Sequence, residues 1–527
     1  MFMLSITKDA RSEAMFSELV TRIENGAIKD KDMLEQEKLV LAKKHGIYAV
    51  IKNAHIIDYA KQNGKHELVK FLKTKPVRTA SGVANIAVMW KGAPMGANKF
   101  FSCPASCTYC PQGDNSPKAY TGVEPTTMRA KRFDYDPALQ VRNRLMQFHL
   151  IGHKTDKCEL IIMGGTFTAM PFVFQSEFVK KCFDSFNGED SSSMQDAHTK
   201  NESAGSRCIG LTIETRADYC QQKHIEEILS MGCTRVEIGV QTTSDELLQK
   251  INRGHDAQAN IDAIRRLKQN GMKFTAHWMP GLTGLLGDVD AKEELKLFKQ
   301  LFTENYHPDE LKIYPALVIE GTKLHEMWKE GKYKSLEKDE MIELLVKMKE
   351  CVPEHVRIKR IMRDISEHEA EAGARTTNLR QIAKDIMQQQ GKECRCIRCR
   401  EIGLNEVDID HVDFSIKEYD ASGGRELFLS FDEKKTDKII AFLRLRLDSS
   451  ETARIRELHV YGEMTPIGEK IAQQHLGFGK QLVQKAEEIA RDSGKNKISV
   501  TSGVGVRRYY IDKFNYVRDG YYLSKVL

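Results

Sequence analysis

The chain has 527 residues, of which 29% are charged and 41% hydrophobic, and a net charge of +6. That length exceeds one compact core and predicts about two to four domains, while the composition excludes a disordered chain. No apolar run is long enough to span a bilayer as a helix, and the opening MFMLSITKDARSEAMF breaks its apolar stretch at Lys8 and Asp9, too early for a secretory signal. A cytoplasmic protein with reduced cysteines is expected. Six of the twelve cysteines fall in two tight groups, Cys103, Cys107, Cys110 and Cys394, Cys396, Cys399. The others, such as Cys158, Cys208 and Cys233, sit among apolar residues as small core hydrophobes.

In chain order, SEAMFSELVTRIENG and DMLEQEKLVLAKKHG space apolar residues at three and four and close on glycine, so residues 1–80 read as helical. Within them, KQNGKHELVKFLKTKPVR (61–78) carries Lys61, Lys65, Lys70, Lys73, Lys75 and Arg78 against one glutamate. Charge alone reads this stretch as a solvated helix face. From about Ala84, short apolar runs (ANIAVMW, ELIIMGG, GLTIET, RVEIGVQ, KFTAHWMP, ELKIYPALV, RIKRIM) alternate with helical segments. Such alternation means parallel strands joined by crossovers, hence an α/β sheet or barrel over residues 81–390. The Ser-rich stretch 186–207 reads as an exposed insertion. A cysteine-rich linker fills 391–410, and 411–527 forms another α/β unit, with antiparallel-type strands followed by one strong helix, FGKQLVQKAEEIARDSG.

FSCPASCTYCPQG brings three thiols into one Pro/Gly-rich loop. A structural zinc wants four ligands, commonly in two separated pairs. Three thiolates in one loop can instead hold three irons of a [4Fe–4S] cluster and leave the fourth open. At the other end of the chain, Gln474, Gly477 and Gly479 form a Q-x-x-G-x-G before a helix, a pattern suited to a pyrophosphate at a helix N-terminus. In the linker, Cys394, Cys396 and Cys399 offer three soft ligands, with zinc the expected metal and a second iron–sulfur cluster the alternative. Their fourth ligand is not identifiable; His411 is near in sequence but has no spacing argument.

The C-x3-C-x2-C loop, with Tyr109 before its last cysteine, resembles the radical-SAM superfamily, and Gly164-Gly165 in IIMGGT resembles its glycine motif. The C-terminal order of elements resembles a GNAT acetyltransferase. Stretches such as YTGVEPTTMRA, GLTIETRADYC, INRGH, CRCIRCREIG, RELHVYG, HLGFGK and TSGVGVRRYY together resemble the Elongator catalytic-subunit family of tRNA uridine acetyltransferases, in an archaeal- or bacterial-like form. Gln112 departs from the family's YCPGG but removes no ligand.

That resemblance implies a radical-SAM partial (β/α) barrel with a helical, tRNA-binding N-terminal region, a small metal-binding linker and a C-terminal GNAT domain. It implies a [4Fe–4S] cluster on Cys103, Cys107 and Cys110, with S-adenosylmethionine met by Gly164, Gly165, Glu214 and Arg216. Acetyl-CoA contacts carry over to Lys157, Glu457, Leu458, His459, Val460, Phe478, Gly479, Lys480 and Tyr510, beside Gln474 and Gly477. Lys157, Tyr509 and Tyr510 are the implied catalytic side chains. The implied reaction forms 5-carboxymethyluridine at the wobble position, using a 5′-deoxyadenosyl radical to activate the methyl group of acetyl-CoA. The anticodon stem-loop of tRNA, an electron donor, and a second copy or Elongator-like subunits are the implied partners, and the basic segment 61–78 becomes a phosphate-binding surface. The alternative is a protein lysine acetyltransferase with a structural iron–sulfur cluster.

Overall fold

The computed structural model describes residues 9–96, 99–403, 409–462 and 477–527. Helices Ala10–Glu24, Lys31–Lys44 and Asn53–Gln62 form an N-terminal unit with its own core, including Met15, Leu19, Leu34, Leu41 and Ile56. The first two start where Asp9 and Asp30 accept hydrogen bonds from the free backbone N–H groups of Ser12 and Met33. The basic segment is not one helix face. It runs over the end of one helix, the short helix Leu68–Leu72 and a 3₁₀ turn at Pro76–Thr79, because Gly64 and Pro76 interrupt any longer helix.

Seven parallel strands follow: β1 (Ala84–Met89), β2 (Lys157–Met163), β3 (Arg207–Thr215), β4 (Arg235–Gln241), β5 (Lys273–Trp278), β6 (Glu310–Ile313) and β7 (Arg357–Ile361). They pair in chain order, β1 to β7, with helical crossovers between most of them. The sheet curls into a half-barrel, as contacts between distant strands require: Glu159 on β2 lies 3.6 Å from Lys359 on β7, and Arg235 on β4 lies 3.3 Å from Glu310 on β6. Along each strand, alternate residues such as Leu160, Val236, Phe274 and Leu311 are buried in the apolar core. Their neighbours Glu159, Arg235, Glu237, Lys312 and Lys359 meet one another inside the curl. Closed (β/α) barrels fill that space mainly with branched apolar side chains. This one is ionic.

The stretch 186–207 is not an exposed insertion. It ends one helix, Phe172–Asn187, and forms another, Met194–Asn201, whose Ala197, His198 and Asn201 are buried. The His198 ring stands edge-on to Phe183 at 4.8 Å. Few positions of so short a helix need be apolar, so its composition stays polar although it packs.

The C-terminal sheet comprises β8 (Val412–Ala421), β9 (Gly424–Glu433), β10 (Lys438–Leu447), β11 (Thr452–Val460), β12 (Lys497–Val500), β13 (Val517–Asp519) and β14 (Tyr522–Val526), in the order β8-β9-β10-β11-β12-β14-β13. Its β11–β12 pair is parallel and the rest antiparallel. It docks on the N-terminal ends of the barrel strands. Arg456 forks onto Asp309 (2.7 and 2.8 Å), Lys273 meets Glu457 (3.1 Å), Arg357 donates to the Tyr461 hydroxyl (2.6 Å), and Ser81 O lies 3.2 Å from His459 Nε2. Among the described residues no helix is long and apolar enough to cross a membrane.

Candidate functional site

The cysteine loop lies beyond the C-terminal ends of the barrel strands, where parallel α/β folds collect their ligands. Cys103, Cys107 and Cys110 line a cavity, together with Gly165, Glu214 and Arg216. Cys103 Sγ is 3.2 Å from Thr166 Oγ1, and Cys107 is buried. The hydrogen bond with Cys110, together with the nearby Arg253 guanidinium, pulls the Cys107 thiol down to about 4, into the thiolate form that binds metal. Cys110 is pushed up by the same hydrogen bond.

Around a single tetrahedral zinc, with Zn–S near 2.3 Å, sulfurs stand about 3.8 Å apart. The ligand atoms of Cys394, Cys396 and Cys399 all lie within 4.8 Å of one another, which suits one ion. No fourth His, Cys, Asp or Glu joins the Cys394 group among the described residues, His411 included.

Gly164 and Gly165 turn away from β2 with φ of +127° and +88°. A Cβ on Gly164 would stand 2.7 Å from Trp90 Nε1 and 2.9 Å from Trp90 O, so a side chain is excluded there. Glu214, near the end of β3, accepts from the Tyr120 hydroxyl (3.2 Å) and lies 3.8 Å from Lys312 Nζ. Arg216 is clamped by Asp218 (2.8 and 2.9 Å), and its Nη1 is buried without a partner. Sequence reasoning missed other cavity residues: Glu237, His277, Tyr314 and Arg253. His277 Nε2 lies 2.9 Å from Glu237, which also pairs with Lys312. The signal for Glu237 and His277 was a charged or polar residue alternating with apolar ones along RVEIGVQ and KFTAHW; Tyr314 and Arg253 lie outside those stretches.

A second cavity lies at the opposite end of the barrel, against the C-terminal sheet. Glu457, Leu458 and His459 line it, and so do Lys75 and Arg78 of the N-terminal segment. Burial lowers the His459 imidazole to about 4, and its ring stacks on Phe442. Burial opposes ionisation of Glu457, but Lys273 and Arg444 outweigh it and its carboxyl is lowered. Lys359 also lines this cavity, with Nζ 3.8 Å from Glu237, a residue of the first one. Burial, then Arg235, brings Lys359 down to about 7. Ion pairs of this layer therefore divide the two cavities.

Gly477 caps helix Phe478–Asp492 with φ +83°, while Gln474 lies outside the described residues. A Cβ on Gly479 would stand 3.2 Å from the Tyr509 hydroxyl and 3.2 Å from Val460 Cγ2, so β11, the helix start and Tyr509 converge. Tyr509 is 37% exposed, whereas Tyr510 is 5% exposed among Tyr509, Phe514 and Tyr516. Burial raises the Tyr509 phenol to about 12. Phe478 packs against Phe431 in the core, and Lys480 is exposed. Lys157 opens β2 at the end of the barrel that faces the second cavity, and burial lowers its ammonium.

In the basic segment, Lys65 pairs with Glu24 (2.6 Å) and Lys61 donates to His149 O (3.3 Å). Lys73 is half-buried, while Lys70, Lys75 and Arg78 are exposed.

Residues 98–294 match the Radical SAM superfamily model, 308–389 the Radical_SAM C-terminal domain and 12–80 the ELP3 N-terminal domain. The tRNA uridine(34) acetyltransferase of Methanocaldococcus jannaschii is 43% identical over 529 residues, spanning 95% of this chain and 95% of its own. Elongator complex protein 3 of Homo sapiens is 39% identical, over 97% of this chain and 96% of its own. The solved structure of archaeal Methanocaldococcus infernus Elp3, with its N-terminus (1–46) deleted, superposes with a TM-score of 0.73 at 40% identity, covering 85% of this chain and 100% of that one. With likeness running nearly end to end in both directions, the chain belongs to the radical-SAM family of the tRNA uridine(34) acetyltransferases and Elongator complex protein 3.

Proposed function

We propose that this chain is a tRNA uridine(34) acetyltransferase that forms 5-carboxymethyluridine from acetyl-CoA, with its work divided between the two cavities. The cysteine loop would hold a [4Fe–4S] cluster, and Gly165, Glu214 and Arg216 would bind S-adenosylmethionine beside it. When bound, these groups supply a carbon radical able to take a hydrogen atom from the acetyl methyl group, which is no nucleophile at neutral pH. His277, hydrogen-bonded to Glu237, is placed to hold or accept a proton in that cavity.

On the C-terminal sheet, which we read as a GNAT fold, the open N–H groups at the start of helix Phe478–Asp492 favour a pyrophosphate, hence the CoA moiety. Gly479 lets that moiety approach the backbone, and Tyr509 stands over it as the phenol nearest the thioester. Tyr510 supports Tyr509 from below, and Lys157 is assigned to CoA from the barrel side. The Cys394 group is read as a structural zinc site fastening the linker.

The observation that carries this reading is the second cavity. Lys75 and Arg78, assigned to tRNA, and Glu457, Leu458 and His459, assigned to acetyl-CoA, are hundreds of positions apart yet line one space. A tRNA held by its phosphates at Lys75 and Arg78 would lie beside the acetyl-CoA contacts of the C-terminal sheet. Anticodon loops are single-stranded, so extruding one base from them is inexpensive.

The test is anaerobic incubation of the chain with tRNA, acetyl-CoA, S-adenosylmethionine and dithionite, followed by mass spectrometry of the nucleosides. The expected product is 5-carboxymethyluridine, absent when the three loop cysteines are replaced by alanine. Acetylation of a lysine peptide, with thioester hydrolysis indifferent to tRNA, would overturn the reading in favour of a protein acetyltransferase.

A further inference from the structure

The stretch INRGH, residues 251–255, takes no part in the assignments above, yet it is fastened to the cysteine loop. Thr108 N donates to Ile251 O (2.9 Å), and Asn252 Nδ2 donates to Ser106 O (3.1 Å) and to Ser106 Oγ (2.6 Å). Asn252 holds a left-handed φ of +52°, which turns the next residue inward. Arg253 then reaches the sulfur side of the loop. Its Nη1 donates to Cys107 Sγ at 3.5 Å and its Nη2 to Gly239 O at 2.5 Å.

The surroundings of this guanidinium are unusual. Arg253 is 5% exposed, its Nε is buried without a hydrogen-bond partner, and among the described residues it makes no ion pair with a carboxylate. Its neighbour Arg216 has Asp218. A guanidinium cannot shed its proton at any physiological pH, and burying it without a counter-charge is strongly unfavourable. The strand beside it is shaped to admit it: a Cβ on Gly239 would stand 2.6 Å from Arg253 Nη2. The anion that Arg253 awaits must lie on the side of Cys107.

We propose that Arg253 is the counter-charge of the iron–sulfur cluster and sets its reduction potential through the Cys107 sulfur. The inference rests on the cluster assigned to Cys103, Cys107 and Cys110. Three thiolates around a [4Fe–4S]²⁺ core carry a net charge of −1. One electron from a low-potential one-electron donor makes it −2, with no bond broken and no proton moved. A fixed positive charge at a ligand sulfur stabilises the −2 state more than the −1 state. Net charge and hydrogen bonds to sulfur are the two protein levers on such potentials, and Arg253 supplies both. It is a positioning residue for the electron and touches no substrate.

The test is a potentiometric titration of the anaerobically reconstituted full chain, with dithionite and redox mediators, read by electron paramagnetic resonance without S-adenosylmethionine. Arg253→Gln removes the charge. Gly239→Ala keeps the arginine but pushes its guanidinium off the sulfur. Both are expected to lower the reduced-to-oxidised ratio at fixed potential at least tenfold, a downward shift of about 59 mV for one electron. Arg253→Lys keeps the charge and should retain most of the wild-type potential. Iron-loaded Arg253→Gln and Gly239→Ala proteins that titrate with the wild type would overturn the proposal. So would failure of both Arg253→Gln and Arg253→Lys to take up iron, which would make Arg253 a scaffold for the loop. A wild-type chain that takes up no iron would instead sink the cluster assignment itself.

Discussion

Replacing Arg456 by methionine tests what holds the C-terminal sheet to the barrel. Arg456 is wholly buried and donates to Asp309 at 2.7 and 2.8 Å, to Glu426 at 2.7 and 3.0 Å and to Met272 O at 3.0 Å. Methionine fills similar space but leaves two buried carboxylates facing each other, with Arg446 at 3.1 Å from Glu426, Arg444 at 3.7 Å from Asp309, and Lys268 Nζ at 3.8 Å from Asp309 and 3.9 Å from Glu426 as the remaining cations. Removing one partner of a buried ionic group costs about 3–5 kcal/mol, because the other is left uncompensated. All three tryptophans (Trp90, Trp278, Trp328) lie in the barrel half, so their fluorescence follows the barrel alone while circular dichroism follows both halves. In urea the variant should lose roughly that energy from the C-terminal half, and its two signals should separate. The loss should also depend on pH. Burial alone would raise both carboxyls, but Arg456 and its neighbours hold Asp309 well below 3.8 and Glu426 below 4.5. A lowered folded value contributes stability that is present above the unfolded value and lost as pH falls through the folded one. The deficit of the variant should therefore be full at neutral pH and shrink below about pH 4.5. A deficit under about 1 kcal/mol, or one that grows toward acid, would refute the reasoning.

Gly503→Ala should loosen the same docking by a steric route, since a Cβ there would stand 2.0 Å from Ile209 O, and limited proteolysis should release the C-terminal half faster. Glu294 accepts from Gly281 N and Thr283 N (2.9 Å each) and is raised by burial to about 7. Its raised value means stability present below pH 4.5 and lost as pH rises through 7, so Glu294→Gln should match the wild-type melting temperature near pH 4.5 and exceed it above pH 7. Changing Lys70, Lys75 and Arg78 together to alanine should weaken all tRNAs alike and flatten the salt dependence of binding by about 0.7 to 0.9 log units for each phosphate no longer neutralised; unchanged affinity and slope would return this segment to a solvated surface. Cys396→Ser should remove one zinc per chain, by elemental analysis, and leave the iron of the other loop in place.

The barrel was legible because its seven strands alternate apolar and polar residues and are separated by amphipathic helices, so local periodicity was enough to find RVEIGVQ or KFTAHW. The helix at Met194–Asn201 was not, because a short helix that buries only Ala197, His198 and Asn201 has the composition of a loop. Spacing alone also could not separate the two cysteine groups by geometry. Both put three sulfurs within eight positions, and only the fold shows the Cys394 group gathered within 4.8 Å. The second cavity was beyond any local signal: Lys75, Glu159, Lys359 and His459 come from four segments, joined by the curl of one sheet and the docking of another.

The ionic lumen bears on why both sites sit on one barrel. A lumen that served folding alone would be most stable filled with branched apolar side chains, since burying charges repays their desolvation only when each is well paired. Here Glu159, Glu237 and Glu310 are threaded by Arg235, Lys312 and Lys359 from one cavity to the other. Lys359 stands 3.5 to 3.8 Å from three carboxylates at once and donates a hydrogen bond to the nearest, Glu310. The feature that makes this barrel costly to fold is thus the one that keeps its two ends apart as separate sites.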